Sequence, residues 1–153
     1  MTRGSASCKR RGVVTSSPNY FSDAAEFYQN AYKHTKATQS RIDLYSGLNA
    51  VALAYVAKAE SDIAEECIKF ASGQKDFPDF WTRVYVPDAL LLGHLIAGDL
   101  DAHANEVIQA YTAAFQHGTP HERDSALGQL HFLISVGPPK DTPALQRVLD
   151  GVS

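Results

Sequence analysis

From residue 23 onward, apolar residues recur with the period of an α-helix, and no stretch of the chain alternates strictly between apolar and polar. This constrains the fold more than any other feature. Apolar positions at i, i+3, i+4 and i+7 cover one face of a helix, whereas a half-buried strand needs every second residue. Ala24, Phe27, Tyr28, Ala31 and Tyr32 make the first stripe and predict a helix over 23–36. Leu44, Leu48, Val51, Ala52, Tyr55 and Val56 predict a second over 42–58. Ile63, Ala64, Cys67, Ile68 and Ala71 predict a third over 62–72, with Ser61 or Asp62 as its N-cap.

The remaining helices are bounded by glycine and proline. Phe80, Trp81, Val84, Leu91, Leu92 and Leu95 place a helix over 79–97, which Pro87 should kink or split. Gly98-Asp99 is a tight turn before a helix over 100–116 built on Leu100, Ala104, Val107, Ile108, Tyr111 and Phe115. Thr119 as N-cap and Pro120 at the first helical position open a helix over 120–136. After Gly137-Pro138-Pro139 a short helix covers 143–150 and ends at Gly151. The expectation is an all-α fold of about seven helices.

These helices fall into pairs related by one offset. Ala59, Gly98 and Gly137 are 39 residues apart in turn, as are Ala52, Leu91 and Leu130, and Val56, Leu95 and Ile134. A constant spacing of helix ends and core positions marks stacked helical hairpins, here a tetratricopeptide-like right-handed superhelix. Leu48, Val51, Ala52, Tyr55, Ala59, Ala64, Ile68 and Ala71 match the small, large and aromatic positions of that repeat. His103 stands where the second unit should have a small residue. The helix at 23–36 is left unpaired at the start of the array.

A more specific likeness rests on Tyr45-Ser46-Gly47-Leu48-Asn49-Ala50, Trp81 and Gly98-Asp99. Over about residues 23–117 the chain resembles the TRAFs-binding domain of mitogen-activated kinase kinase kinases and its bacterial relatives, with Leu48 where that family carries Ile. The resemblance implies a regulatory helical scaffold that contacts partner proteins. No Gly-rich loop and no His-Arg-Asp motif is present, so it implies no kinase activity.

Residues 1–19 lack periodicity and read as a disordered tail, leaving 20–153 as a single domain. Arg3, Lys9, Arg10 and Arg11 make that tail basic, and all 17 acidic residues follow it. The body is therefore acidic, which argues against nucleic acid as a partner. No apolar run reaches the ~18 residues of a membrane span, and the N-terminus has no apolar core of a secretory signal. Cys8 and Cys67 do not make a disulfide framework, so both are expected to be reduced thiols of a cytoplasmic protein.

Candidate chemistry is sparse. Of six histidines, His117 and His121 have helical spacing, but Gly118, Thr119 and Pro120 separate them. His94 and His131 occupy nearby register on two first helices, without a Cys or carboxylate at ligand spacing, and read as seam residues. Glu65-Glu66 diverge around a helix, and Asp99 and Asp101 suit a turn and a helix start. No catalytic residue, metal or cofactor is expected.

Asn49 is the polar residue of its helix without an evident solvent-facing role. It would either grip a partner's backbone or make an inter-helix hydrogen bond. Phasing puts Ser46, Asn49 and Leu53 on the inner lining, then Tyr85, Asp88 and Leu92, then Asp124, Leu127 and His131. Ser46, Asn49, Tyr85, Asp88, Asp124 and His131 are the expected contacts to a protein or peptide partner. The function expected is a protein–protein interaction scaffold or regulatory adaptor, not an enzyme. The alternative is a self-associating subunit, a homo-oligomer that serves a cognate effector enzyme.

Overall fold

A computed structural model describes residues 18–153, so the expected basic tail lies almost wholly outside the described residues. Those residues form seven α-helices and one 3₁₀ turn, with no strand. The helices are α1 Pro18–Gln39, α2 Leu44–Val56, α3 Ala64–Ser72, α4 Phe80–Ala97, α5 Leu100–Phe115, α6 Pro120–Val136 and α7 Thr142–Val152; the 3₁₀ turn is Pro139–Asp141. None of them is long and apolar enough to cross a membrane.

Local chemistry accounts for most boundaries. Asp43 caps α2, its carboxylate accepting from the Ser46 amide at 3.2 Å. Asp79 caps α4 by accepting from both the amide and the hydroxyl of Thr82, at 2.8 and 2.7 Å. These bonds hold the Asp79 carboxyl below its ordinary pKa. Thr119 and Glu122 close a reciprocal capping box at the start of α6, at 3.1 and 3.0 Å, with Pro120 in the first turn. Ser61, expected to cap α3, keeps a buried hydroxyl with no hydrogen-bond partner among the described residues. Asp62 instead pairs with Lys33 at 2.9 Å.

Three expectations change. α4 runs unbroken through Pro87, which only withholds an N–H from the Arg83 carbonyl. Gly151 lies inside α7 rather than ending it. It allows α7 close to α5, since a Cβ there would meet Ile108 at 2.6 Å. The helix ends also do not keep one offset. α4 and α6 end at Ala97 and Val136, 39 residues apart, but α2 ends at Val56, 41 before α4. α2 closes with Lys58 in the left-handed region (φ 58°) and α4 with Gly98 (φ 77°), while Gly137 is extended. The equal spacing of Ala59, Gly98 and Gly137 therefore joins positions with different backbone roles.

By internal packing the described residues group into two compact units, which divide between Cys67 and Ile68. In the first, α1 lies along α2, whereas the phasing pairs α2 with α3. Tyr28 and Tyr32 of α1 are buried with Val51 and Leu53 of α2. Gly47 lets α1 and α2 meet Cys67: a Cβ on it would lie 2.6 Å from the Cys67 sulfur and 2.8 Å from the Tyr32 ring. The start of α3 is tied to α1 through Glu66, which accepts from the Tyr32 hydroxyl at 2.5 Å and pairs with Lys36 at 2.6 Å.

In the second unit α4 packs on α5, α5 on α7, and α6 on α7. Val84, Leu91, Leu92 and Leu95 of α4 are buried, as are Tyr111 of α5, Leu130 and Leu133 of α6, and Leu145 and Val148 of α7. Gly118 rests against the Phe80 ring, which a Cβ there would meet too closely. Arg147 of α7 reaches Asp101 at the start of α5, bonding its carboxylate at 3.1 Å and its carbonyl at 2.6 Å.

Candidate functional site

The six residues expected to contact a partner have different surroundings. Ser46 and Asn49 belong to the first unit, and Tyr85, Asp88, Asp124 and His131 to the second. Ser46 is buried, and its hydroxyl donates to Asp43 at 2.7 Å, so it belongs to the start of α2 rather than to a surface. Asn49 is half-buried. Its amide donates to the Tyr45 carbonyl at 2.7 Å, one turn back in the same helix. This bond is neither of the two roles the sequence suggested. It explains how a helix-interior Asn is tolerated, by offering its donor to a carbonyl already in place.

Asp88 is half-buried, and its carboxylate accepts from the hydroxyl of Tyr111 at 2.5 Å. Tyr111 is wholly buried. Burial, reinforced by the Asp88 charge and hydrogen bond, pushes its phenol well above the ordinary pKa, so it remains the donor. Asp88 therefore satisfies a core tyrosine. Tyr85 is half-buried on the same helix, one turn before it. Asp124 and His131 are exposed two turns apart on α6. Leu53 and Leu92, assigned to the inner lining, are core residues with no exposure.

A groove of about 290 Å³ in the second unit was not foreseen. Phe77, Arg83, Val86 and Pro87 line it together with Ala110, Ala113 and Ala114 of α5, and Gln116 and His117 complete the lining. The Arg83 guanidinium lies 5.1 Å from the centre of the Phe77 ring, a cation–π contact that holds a positive charge over an apolar floor. Alanines at i, i+3 and i+4 leave the α5 surface low, and Pro87 removes a backbone donor from the facing helix. The triplet was legible in the sequence as a small-residue face. Which helix faces it was not.

The sequence reading set His94 beside His131. The structure places it beside His103, with the two rings parallel and their centres 4.1 Å apart. Asp99 and Glu106 lie along the ring edges. Cys67 is buried, and burial first, then the charges of Glu66 and Asp43, push its thiol up to about 12, which makes it a packing residue.

Comparison of the chain with protein-family models, with curated proteins and with solved structures gives no match in any of the three.

Proposed function

We propose that the chain is a protein-interaction scaffold without a reaction of its own, a tetratricopeptide-like stack similar to a stand-alone TRAFs-binding domain. The observation that carries this reading is the alanine-lined groove beside Pro87, with the Arg83 guanidinium among its lining over the Phe77 ring. Its volume of about 290 Å³ and its alanine and proline lining suit a short helical or extended segment of a partner, with a carboxylate for Arg83. Exposed Phe70, Trp81 and Ile96 add apolar surface in the same unit. Asp88 is engaged with the Tyr111 hydroxyl, and exposed Asp124 and His131 on α6 of the same unit are the further polar contacts of this reading.

The test is selection of peptides from a displayed random library against the full chain, followed by anisotropy titration of a selected peptide. Ala113 is exposed, so Ala113→Arg fills the groove without touching the core. Binding should weaken by about tenfold or more, the loss of one well-packed contact region, with an unchanged circular dichroism spectrum. Selected peptides that bind Ala113→Arg as tightly as the parent chain place the interaction elsewhere and refute the groove. Losses in Asp124→Lys or His131→Ala would then move it to the exposed face of α6.

A further inference from the structure

We propose that the corner between α4 and α5 is a binding site for a divalent transition metal of the zinc class, held by His94, Asp99 and His103 with Glu106 behind them. The ligand atoms of the first three all lie within 4.8 Å of one another. His94 Nδ1 is 2.8 Å from one Asp99 oxygen, and His103 Nε2 is 3.4 Å from the other. One carboxylate thus bridges two imidazole nitrogens along one edge of the stacked pair. Glu106 takes the opposite edge, 3.3 Å from His103 Nδ1 and 4.0 Å from His94 Nε2.

This division of labour is what an imidazole metal site needs. One ring nitrogen faces the ion, and the other donates its N–H to a carboxylate that fixes the tautomer. Two imidazoles and one carboxylate suit zinc, cobalt, nickel or copper ions, and disfavour magnesium and calcium, which take oxygen ligands. The fourth position would go to water, since Asp99 and His103 are half-exposed.

Backbone geometry builds the site locally. The Asp99 amide bonds the His94 carbonyl at 3.0 Å and the Gly98 amide bonds the Leu95 carbonyl at 3.2 Å. This is a Schellman closure with Gly98 in the left-handed region, and it folds Asp99 back over His94. His103 follows Asp99 by four residues, one turn along α5. Asp99 occupies the N-cap of α5, yet its carboxylate makes no capping bond. It turns to the two imidazoles instead, forgoing the ordinary cap stabilisation. A solvated capping aspartate would not be expected to do so.

In the stacked arrangement the planes differ by only 10°, so the lone pairs run side by side. Ligand atoms of a tetrahedral zinc site are about 3.4 Å apart, given bonds of about 2.0–2.1 Å. Binding therefore tilts the two rings toward a common point, a side-chain rotation that leaves the corner in place.

The experiment titrates the metal-free full chain with Zn²⁺ against a chromophoric chelator, with Mg²⁺ as control, and follows imidazole resonances by NMR. One Zn²⁺ per chain is expected, with low-micromolar affinity, a rise in melting temperature, and shifts confined to His94 and His103. His103→Ala and Asp99→Ala, both at half-exposed positions, should weaken binding by about tenfold or more, and Glu106→Gln by about tenfold. His117→Ala and His131→Ala should leave it unchanged. Absence of saturable binding below about 100 µM overturns the proposal. So does equal Zn²⁺ affinity in folded Asp99→Ala and His103→Ala.

Discussion

Gly47 and Gly128 both sit inside helices, but substitution by alanine should move stability in opposite directions. In each helix the change removes glycine's backbone freedom and is worth about 0.8–1.0 kcal/mol in favour of the folded state. At Gly128 of α6 nothing lies within 4 Å of the added Cβ, so that gain should appear almost whole. At Gly47 of α2 the same methyl meets the Cys67 sulfur at 2.6 Å and two Tyr32 ring carbons at 2.8 and 3.0 Å. Tyr32 and Cys67 are buried, and the Tyr32 hydroxyl is bonded to Glu66, so neither side chain has an easy retreat.

Overpacking of this kind costs about 1–3 kcal/mol. Set against the propensity gain, Gly47→Ala should range from near-neutral to about 2 kcal/mol less stable. The gap between the two variants is then about 1–3 kcal/mol, the whole of the packing term. Urea unfolding followed by circular dichroism measures both under one set of conditions. Adding Cys67→Ala to Gly47→Ala removes the closest clash but not the ring contacts, so the pair should be less than additive in a double-mutant cycle. If Gly47→Ala is stabilised as much as Gly128→Ala, the three-way contact of α1, α2 and Cys67 is not as tight as described.

Other consequences follow from single sites. Thr119→Ala removes the α6 capping box and should cost about 1 kcal/mol in urea unfolding, with Glu122→Ala costing less. Lys36 first, then Tyr32, hold the Glu66 carboxyl below its ordinary value of 4.5. The stability this adds is present above 4.5 and lost as pH falls through the lowered folded-state value. The difference between the parent chain and Glu66→Gln should therefore shrink as unfolding is repeated from pH 7 down to pH 3 or so; a constant difference would deny the coupling. The Cys67 thiol, pushed up to about 12, should resist alkylation at neutral pH in a Cys8→Ser chain and react once urea unfolds it.

The order of the helices and most of their boundaries were legible because they depend on local pattern, although α1 runs over Pro18–Gln39 rather than the expected 23–36. An apolar stripe, an Asp or Thr at a cap and a Gly or Pro after the last turn act within a few residues of one another. Pro120 at the start of α6 and Gly98 after α4 work this way. Pro87 misled because a proline breaks a helix only where its missing N–H and ring cannot be accommodated, which depends on what packs around it. Gly151 misled for the related reason that a glycine may serve close approach as well as termination, and only Ile108 across the contact decides between them.

The candidate residues were harder to read, because a phase angle on a helix says which way a side chain leaves the axis and not what it meets. Asp88 was placed on an inner lining, where a carboxylate suggests a partner; it meets the buried Tyr111 hydroxyl. His103 was a misfit in the expected repeat, whose pattern wanted a small residue. It is a misfit for a physical reason, since its ring stacks on His94 and shares a carboxylate with it. The spacing His-x₄-Asp-x₃-His is present in the sequence, although His94 read there as a seam residue without a carboxylate partner. It acquires meaning only when a left-handed glycine at 98 returns the chain on itself, which converts five residues of separation along the sequence into one hydrogen bond. Departures from an expected pattern are therefore the positions to inspect first, because a neighbour that the pattern does not encode can hold the residue there.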